Sequence, residues 1–238
     1  MPTIHYVILV PMVYVALVVF LAGTAWRGVR IFRGLRASLA GTVGPTRPPR
    51  RIGALYETLL LPKVLRHHPV RWALAATFHL ALLLLVLSHL ELVTEIGALQ
   101  VVPHDVPLGS GVVGAIFVVA VLFFLCRRFH APARAISAAS DYYLLIVLLL
   151  TALFGLELHL ARSLFGYATV EVDAYREYLS SLLTLRPTLP EALTLDFVGH
   201  PFLLALHVFF ANLFLLLFPW SKMMHALLAF ALTRLGRR

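Results

Sequence analysis

Residues 72–94 read WALAATFHLALLLLVLSHLELVT, an apolar run that carries one formal charge, Glu91, and two histidines, His79 and His89. As a helix rising 1.5 Å per residue it spans about 35 Å, enough to cross a hydrocarbon core of about 30 Å. Comparable runs occupy about 4–25, 111–126, 142–161 and 201–218. The last is expected to continue past Pro219 towards 231. These runs predict five transmembrane helices in an all-α bundle, a single membrane domain over 1–238. Composition agrees: 61% of the 238 residues are hydrophobic and 13% are charged, against roughly a quarter charged in soluble domains. That balance excludes both disorder and an ordinary water-soluble domain. One cysteine, Cys126, excludes a disulfide framework or a cysteine-held cluster within the chain, and its expected role is packing.

The charges predict orientation. Ten Lys and Arg lie between Arg27 and Arg71, three (Arg127, Arg128, Arg134) lie in the third-to-fourth connection, and four (Lys222, Arg234, Arg237, Arg238) follow the fifth run. These segments alternate so that all fall on one side, giving it 17 of the 20 basic residues. The other side has Arg162, Arg176 and Arg186 among seven acids. By the positive-inside rule the C-terminus is expected in the cytoplasm and the N-terminus outside. The net charge of +9 therefore reports topology and contact with membrane lipids, with no nucleic-acid partner expected. The first run lacks a basic segment before it and is expected to remain as an anchor. In the outer connection, 170–185 is expected to form a short helix on the membrane surface.

Eleven histidines are many for so apolar a chain, and ionisable groups inside spans are functional candidates by default. His79 and His89 lie in the second run; His207 and His225 lie in and after the fifth. A neutral imidazole offers one ring nitrogen as a ligand while donating from the other. Ten residues separate His79 from His89, about 15 Å of helix, too far to share one metal. The spacing suits two haems stacked across the membrane, each iron held by one histidine from each helix. With antiparallel helices, His89 is expected to meet His207 near the outer face, and His79 to meet His225 near the cytoplasmic face. His207 and His225 are eighteen apart, about 27 Å in a straight helix, so a break or kink at Pro219 is expected to take up part of the difference.

The runs FHLALLLLVLSHLELV, LHVFFANLFLLLFPWSKMMHALL and RRFHAPARAISAASDYYLLIVLLL together resemble the gamma subunit of respiratory nitrate reductase, a five-helix dihaem cytochrome b. They also resemble cytochromes b of sulfite-reductase-linked and heterodisulfide-reductase-type complexes. The resemblance covers roughly 70–230, and PWSKMMH matches the family's Pro-Phe-Ser-(Lys/Arg)-x-x-His signature with Trp220 for Phe. It implies two haem b groups, on His79 with His225 and on His89 with His207. It also implies quinol oxidation beside the outer haem and electron transfer inward to a cytoplasmic iron–sulfur subunit and a molybdenum catalytic subunit. The chain would thus be the quinol-oxidising subunit of an oxidoreductase in the cell membrane, serving anaerobic respiration, with no terminal reductase site of its own. One departure concerns the quinol site. Enterobacterial nitrate reductases have a lysine near the outer start of the third helix, whereas here no Lys or Arg occurs from 72 to 126. His104 and Asp105 in that region, and Glu157 and His159 late in the fourth run, are the quinol-site candidates. A sulfite-reductase-linked or heterodisulfide-type complex is the alternative destination for the electrons. A histidine-dependent proton-coupled transporter is the rival from another class, and the sequence shows no internal pseudo-symmetry of the kind many transporters carry.

Overall fold

The computed structural model describes residues 2–40, 56, 58, 60–93, 111–165, 172–190, 200–225 and 228–229. Among them every regular element is helical. In chain order these are α1 (Pro2–Leu9), α2 (Pro11–Ala40), α3 (Pro62–His67), α4 (Pro69–Val93), α5 (Gly111–Arg128), α6 (Ala139–Phe165), α7 (Val172–Leu183) and α8 (His200–Leu217), with 3-10 turns at Ala133–Ile136, Phe218–Trp220 and Lys222–Met224. Among the described residues five stretches are long and apolar enough to cross a membrane: Ile4–Gly34, Pro69–Val93, Gly111–Arg128, Ala139–Leu158 and Phe202–Trp220. Proline opens α2, α3 and α4. At a first helical position its missing N–H costs nothing and its φ is already helical. Bonds from Val10 N to Tyr6 O (2.9 Å) and from Tyr14 N to Val10 O (3.3 Å) carry α1 into α2, so the two make one span.

The most extensive packing joins α6 to α8. α5 lies between α4 and α6, and α2 runs along α8. Phe78, Ala81, Phe117, Ala120, Val121, Leu125, Leu145 and Leu148 form the core shared by α4, α5 and α6. The consequence for the site is a slot. α4 and α8 are not packed on each other as their neighbours are, so the two helices that carry the histidines face each other across a space rather than across interlocked side chains.

Two features shape the ends of that slot. Towards His200, Leu9, Val10, Tyr178, Leu182 and Leu204 form a second core. Tyr178 donates to Leu9 O at 2.5 Å and Tyr14 donates to Leu182 O at 2.9 Å, so two phenols strap α7 to the first span. Burial pushes the Tyr175 and Tyr178 phenols well above the usual range, because the phenolate would be desolvated. At the opposite end the regular α-helix of α8 stops at Leu217, short of 231. Pro219 cannot donate to an α-helical ladder, and Ser221 is extended (φ −95°, ψ 169°), so the chain turns a corner. Ser221 Oγ accepts from Met223 N at 3.1 Å and donates to Phe218 O at 2.8 Å, capping the next turn. α2 supports the corner from outside. Arg27 Nη1 donates to Pro219 O at 3.0 Å, and a Cβ on Gly23 would lie 2.9 Å from the Pro219 ring, so only glycine permits this approach.

Candidate functional site

The corner and the slot bring four histidines into two facing pairs. His79 on α4 meets His225, just beyond Lys222–Met224, with ring centroids 6.2 Å apart and planes crossed at 82°. His89 on α4 meets His207 on α8, with centroids 6.0 Å apart and planes within 21° of parallel. The first pair lies at the basic end of the bundle, near Arg127, Arg128 and Lys222; the second lies at the far end. An imidazole nitrogen bonds a transition metal at about 2.0–2.1 Å, so two imidazoles on opposite sides of one metal ion would have centroids roughly 6.3 Å apart. Both separations match a single metal between the rings.

Each ring also has its other nitrogen committed. His79 Nδ1 bonds Ala75 O at 2.6 Å, and His89 Nδ1 bonds Leu85 O at 2.6 Å. His207 Nδ1 bonds Thr151 O on α6 at 2.9 Å, and His225 Nδ1 bonds Lys222 O at 2.8 Å. A carbonyl only accepts, so each Nδ1 carries the proton and each Nε2 presents a lone pair, an assignment that rests on these partners. A backbone carbonyl on the non-ligating nitrogen is the usual support of a metal-binding histidine. The bond alone does not mark a ligand: His130 Nδ1 bonds Cys126 O at 3.0 Å in the same way. Pairing with a facing ring is what distinguishes the four. Among the described residues no group of three or more His, Cys, Asp or Glu converges. A porphyrin brings four nitrogens of its own, so a haem iron would need few ligands from the protein, and a facing pair of histidines fits it.

Two residues that the sequence did not single out shape the far pair. A Cβ on Gly155 would lie 2.9 Å from His207 Cε1 and 3.0 Å from Nδ1. Glycine there lets α6 come close enough for Thr151 O to accept a hydrogen bond from the imidazole N–H. Gly155 and Thr151 are one helical turn apart, but nothing in their local sequence reveals that they touch a ring 52 and 56 positions away. Glu157 is exposed on α6, about 200° around the helix from Gly155. His159 falls within the same helix. His104 and Asp105 lie outside the described residues. Cys126, expected to pack, is exposed near the end of α5, so it contributes to the surface of the bundle instead.

Residues 62–238, about three quarters of the sequence, match the family described as nitrate reductase gamma subunit. The chain belongs to that family. It is also similar to the Hdr-like menaquinol oxidoreductase cytochrome b-like subunit of Archaeoglobus fulgidus, with 28% identity over 176 residues that cover 65% of this chain and 47% of the relative. The chain thus spans about half the length of the curated relative it matches. Membership and the five apolar helices make the chain a multi-pass membrane protein of the nitrate reductase gamma subunit family. All four paired histidines, the corner and Gly155 fall within the matched segment.

Proposed function

We propose that this chain is a dihaem cytochrome b that takes electrons from quinol and passes them to a partner reductase. The observation that carries the reading is the two facing histidine pairs, each with Nδ1 held by a carbonyl and Nε2 left as a lone pair. His79 and His225 would hold one haem b, and His89 and His207 the other. Bound there, the two haems would supply one-electron carriers in series, each iron held by one histidine pair. The residues provide the rest. The carbonyls fix the tautomers and ring orientations. Oxidation of one quinol yields one quinone, two electrons and two protons. Side chains at the far end would receive those protons, with His104, Asp105, Glu157 and His159 the candidates.

The 17-to-3 division of basic residues supports placing the basic end in the cytoplasm and both the N-terminus and the far end outside, in the cell membrane. Electrons would then run inward to a cytoplasmic iron–sulfur subunit and a molybdenum catalytic subunit that reduces nitrate. The likeness to the Archaeoglobus fulgidus protein favours a second destination, a heterodisulfide-reductase-like partner served by menaquinol. Purification of the intact complex, with identification of its other subunits, separates the two. The haem assignment is tested on the purified chain. Pyridine haemochrome should give two haems b per polypeptide, extractable by acid acetone, and no haem would overturn the reading. A cytoplasm-active reporter fused after Arg238 should work and a periplasm-active one should stay silent; the reverse would invert the electron path.

A further inference from the structure

Three of the four imidazoles take their carbonyl partner from a long helix: Ala75 and Leu85 on α4, and Thr151 on α6. A hydrogen-bond ladder fixes each of those carbonyls. The partner of His225 is different. Lys222 O belongs to a three-residue 3-10 turn beyond the corner at Ser221, where it also accepts from the backbone N–H of His225; so short a turn has no run of neighbouring bonds to tie it to the bundle.

What ties the turn to the bundle is the side chain of the same residue. Lys222 Nζ donates to Asp141 Oδ2 at 2.5 Å. Asp141 lies in the first turn of α6 and its side chain is 4% exposed. The same oxygen accepts from Ala138 N at 3.0 Å, the reciprocal half of a helix cap. Arg128 Nη1 lies 3.4 Å from it and also donates to Ser137 Oγ at 3.0 Å. Tyr142 OH donates to Arg128 O at 2.7 Å, tying the end of α5 to the start of α6. Asp141 is therefore a fixed anchor, gripped by backbone and by two cations. Capping α6 would need only the bond from Ala138. The approach of Lys222 connects the anchor to the haem-ligand turn.

We propose that Asp141 is the positioning residue for His225: it holds Lys222, and the Lys222 carbonyl sets the plane of the imidazole that faces His79. The inference rests on the dihaem reading and deepens it. It gives the lysine of the PWSKMMH segment a mechanical role through its backbone as well as its charge. It also gives the basic-end haem an electrostatic environment. One carboxylate between Arg128 and Lys222 leaves a local excess of one positive charge, which favours the reduced, more negative haem.

The test uses the purified, haem-loaded chain, after wild-type haemochrome has shown two haems; a haem-free wild type would refute the dihaem reading itself. Two variants break the pair from opposite sides. Asp141→Asn removes a negative charge and should raise the midpoint potential of the basic-end haem. Lys222→Met removes a positive charge and should lower it. Both should change the low-spin EPR signal of that same haem, because both release the turn that orients His225. The far-end signal should not move, and Asp141→Glu should restore the wild-type spectrum. If the potentials move in opposite directions while the EPR signals stay as in wild type, the effect is charge alone and the positioning role is refuted. Unchanged potentials and spectra in both variants refute it equally. Should Asp141→Asn fail to accumulate, the EPR of Lys222→Met decides by the same criterion.

Discussion

The two histidine pairs would perform the same chemistry but are built differently. At the far end both ligands lie inside long helices, and the second is pressed against a third helix through Gly155 and Thr151 O. At the basic end one ligand lies in a helix and the other on a short turn beyond a corner, held through Lys222 by Asp141. The ring planes record the difference: 21° apart at the far end and 82° at the basic end. Packing between helices constrains a ring by volume exclusion, over a whole face. A tethered turn constrains it through a few polar bonds. The far pair should therefore be the one sensitive to volume, and the basic pair the one sensitive to charge.

The largest effects should come from removing ligands. His89→Ala and His207→Ala should each lower haem content from two per chain to one and remove the same spectral component. His79→Ala and His225→Ala should remove the other. If His79→Ala and His207→Ala removed the same haem, the pairing would be wrong and the comparison of the two ends would collapse.

Next comes Gly155→Ala. The added methyl meets the imidazole ring at 2.9 Å, and overpacking of this kind typically costs about 1–3 kcal/mol. The far-end haem should show a shifted spectrum or reduced occupancy while the basic-end haem keeps its own. Equal loss of both would mean that Gly155 supports the bundle generally rather than His207.

EPR of the oxidised wild-type protein sharpens the contrast without mutation. Parallel imidazole planes interact with the same iron d orbital and split it from its partner; crossed planes leave the two close in energy. The far-end haem should give the more rhombic low-spin signal and the basic-end haem the more axial one. Two indistinguishable signals would show that the rings reorient on binding haem.

The smallest effects concern the strap over the far end. Tyr14→Phe or Tyr178→Phe removes one hydrogen bond, worth about 0.5–1.5 kcal/mol, and should lower thermal stability while leaving the haem signals in place. Because burial raises the Tyr175 and Tyr178 pKa values, their contribution is fully present below the unfolded phenol pKa of about 10. It is lost as pH rises above that value, when the unfolded chain ionises first. A melting temperature flat from pH 9 to 11 would contradict this.

Five spans and the facing of His79 with His225 and of His89 with His207 were legible in one dimension. Apolar length sets whether a helix can cross a membrane, and alternating topology sets which histidine meets which. The eighteen-residue spacing from His207 to His225 exceeded what a straight helix allows, and Pro219 already marked where it had to break. The form of the corner was not legible. It depends on Ser221 capping the turn, and on Gly23 admitting α2 and Arg27 reaching Pro219 O, the last two being contacts between residues nearly two hundred positions apart. Asp141 read as an ordinary acid in the first turn of a helix, and Gly155 as an ordinary small residue within a span. Sequence determines hydrophobicity, length and local conformational preference, because each is a property of a residue and its near neighbours. Which carbonyl receives a ring proton, and which carboxylate holds a lysine, were decided only when the helices packed.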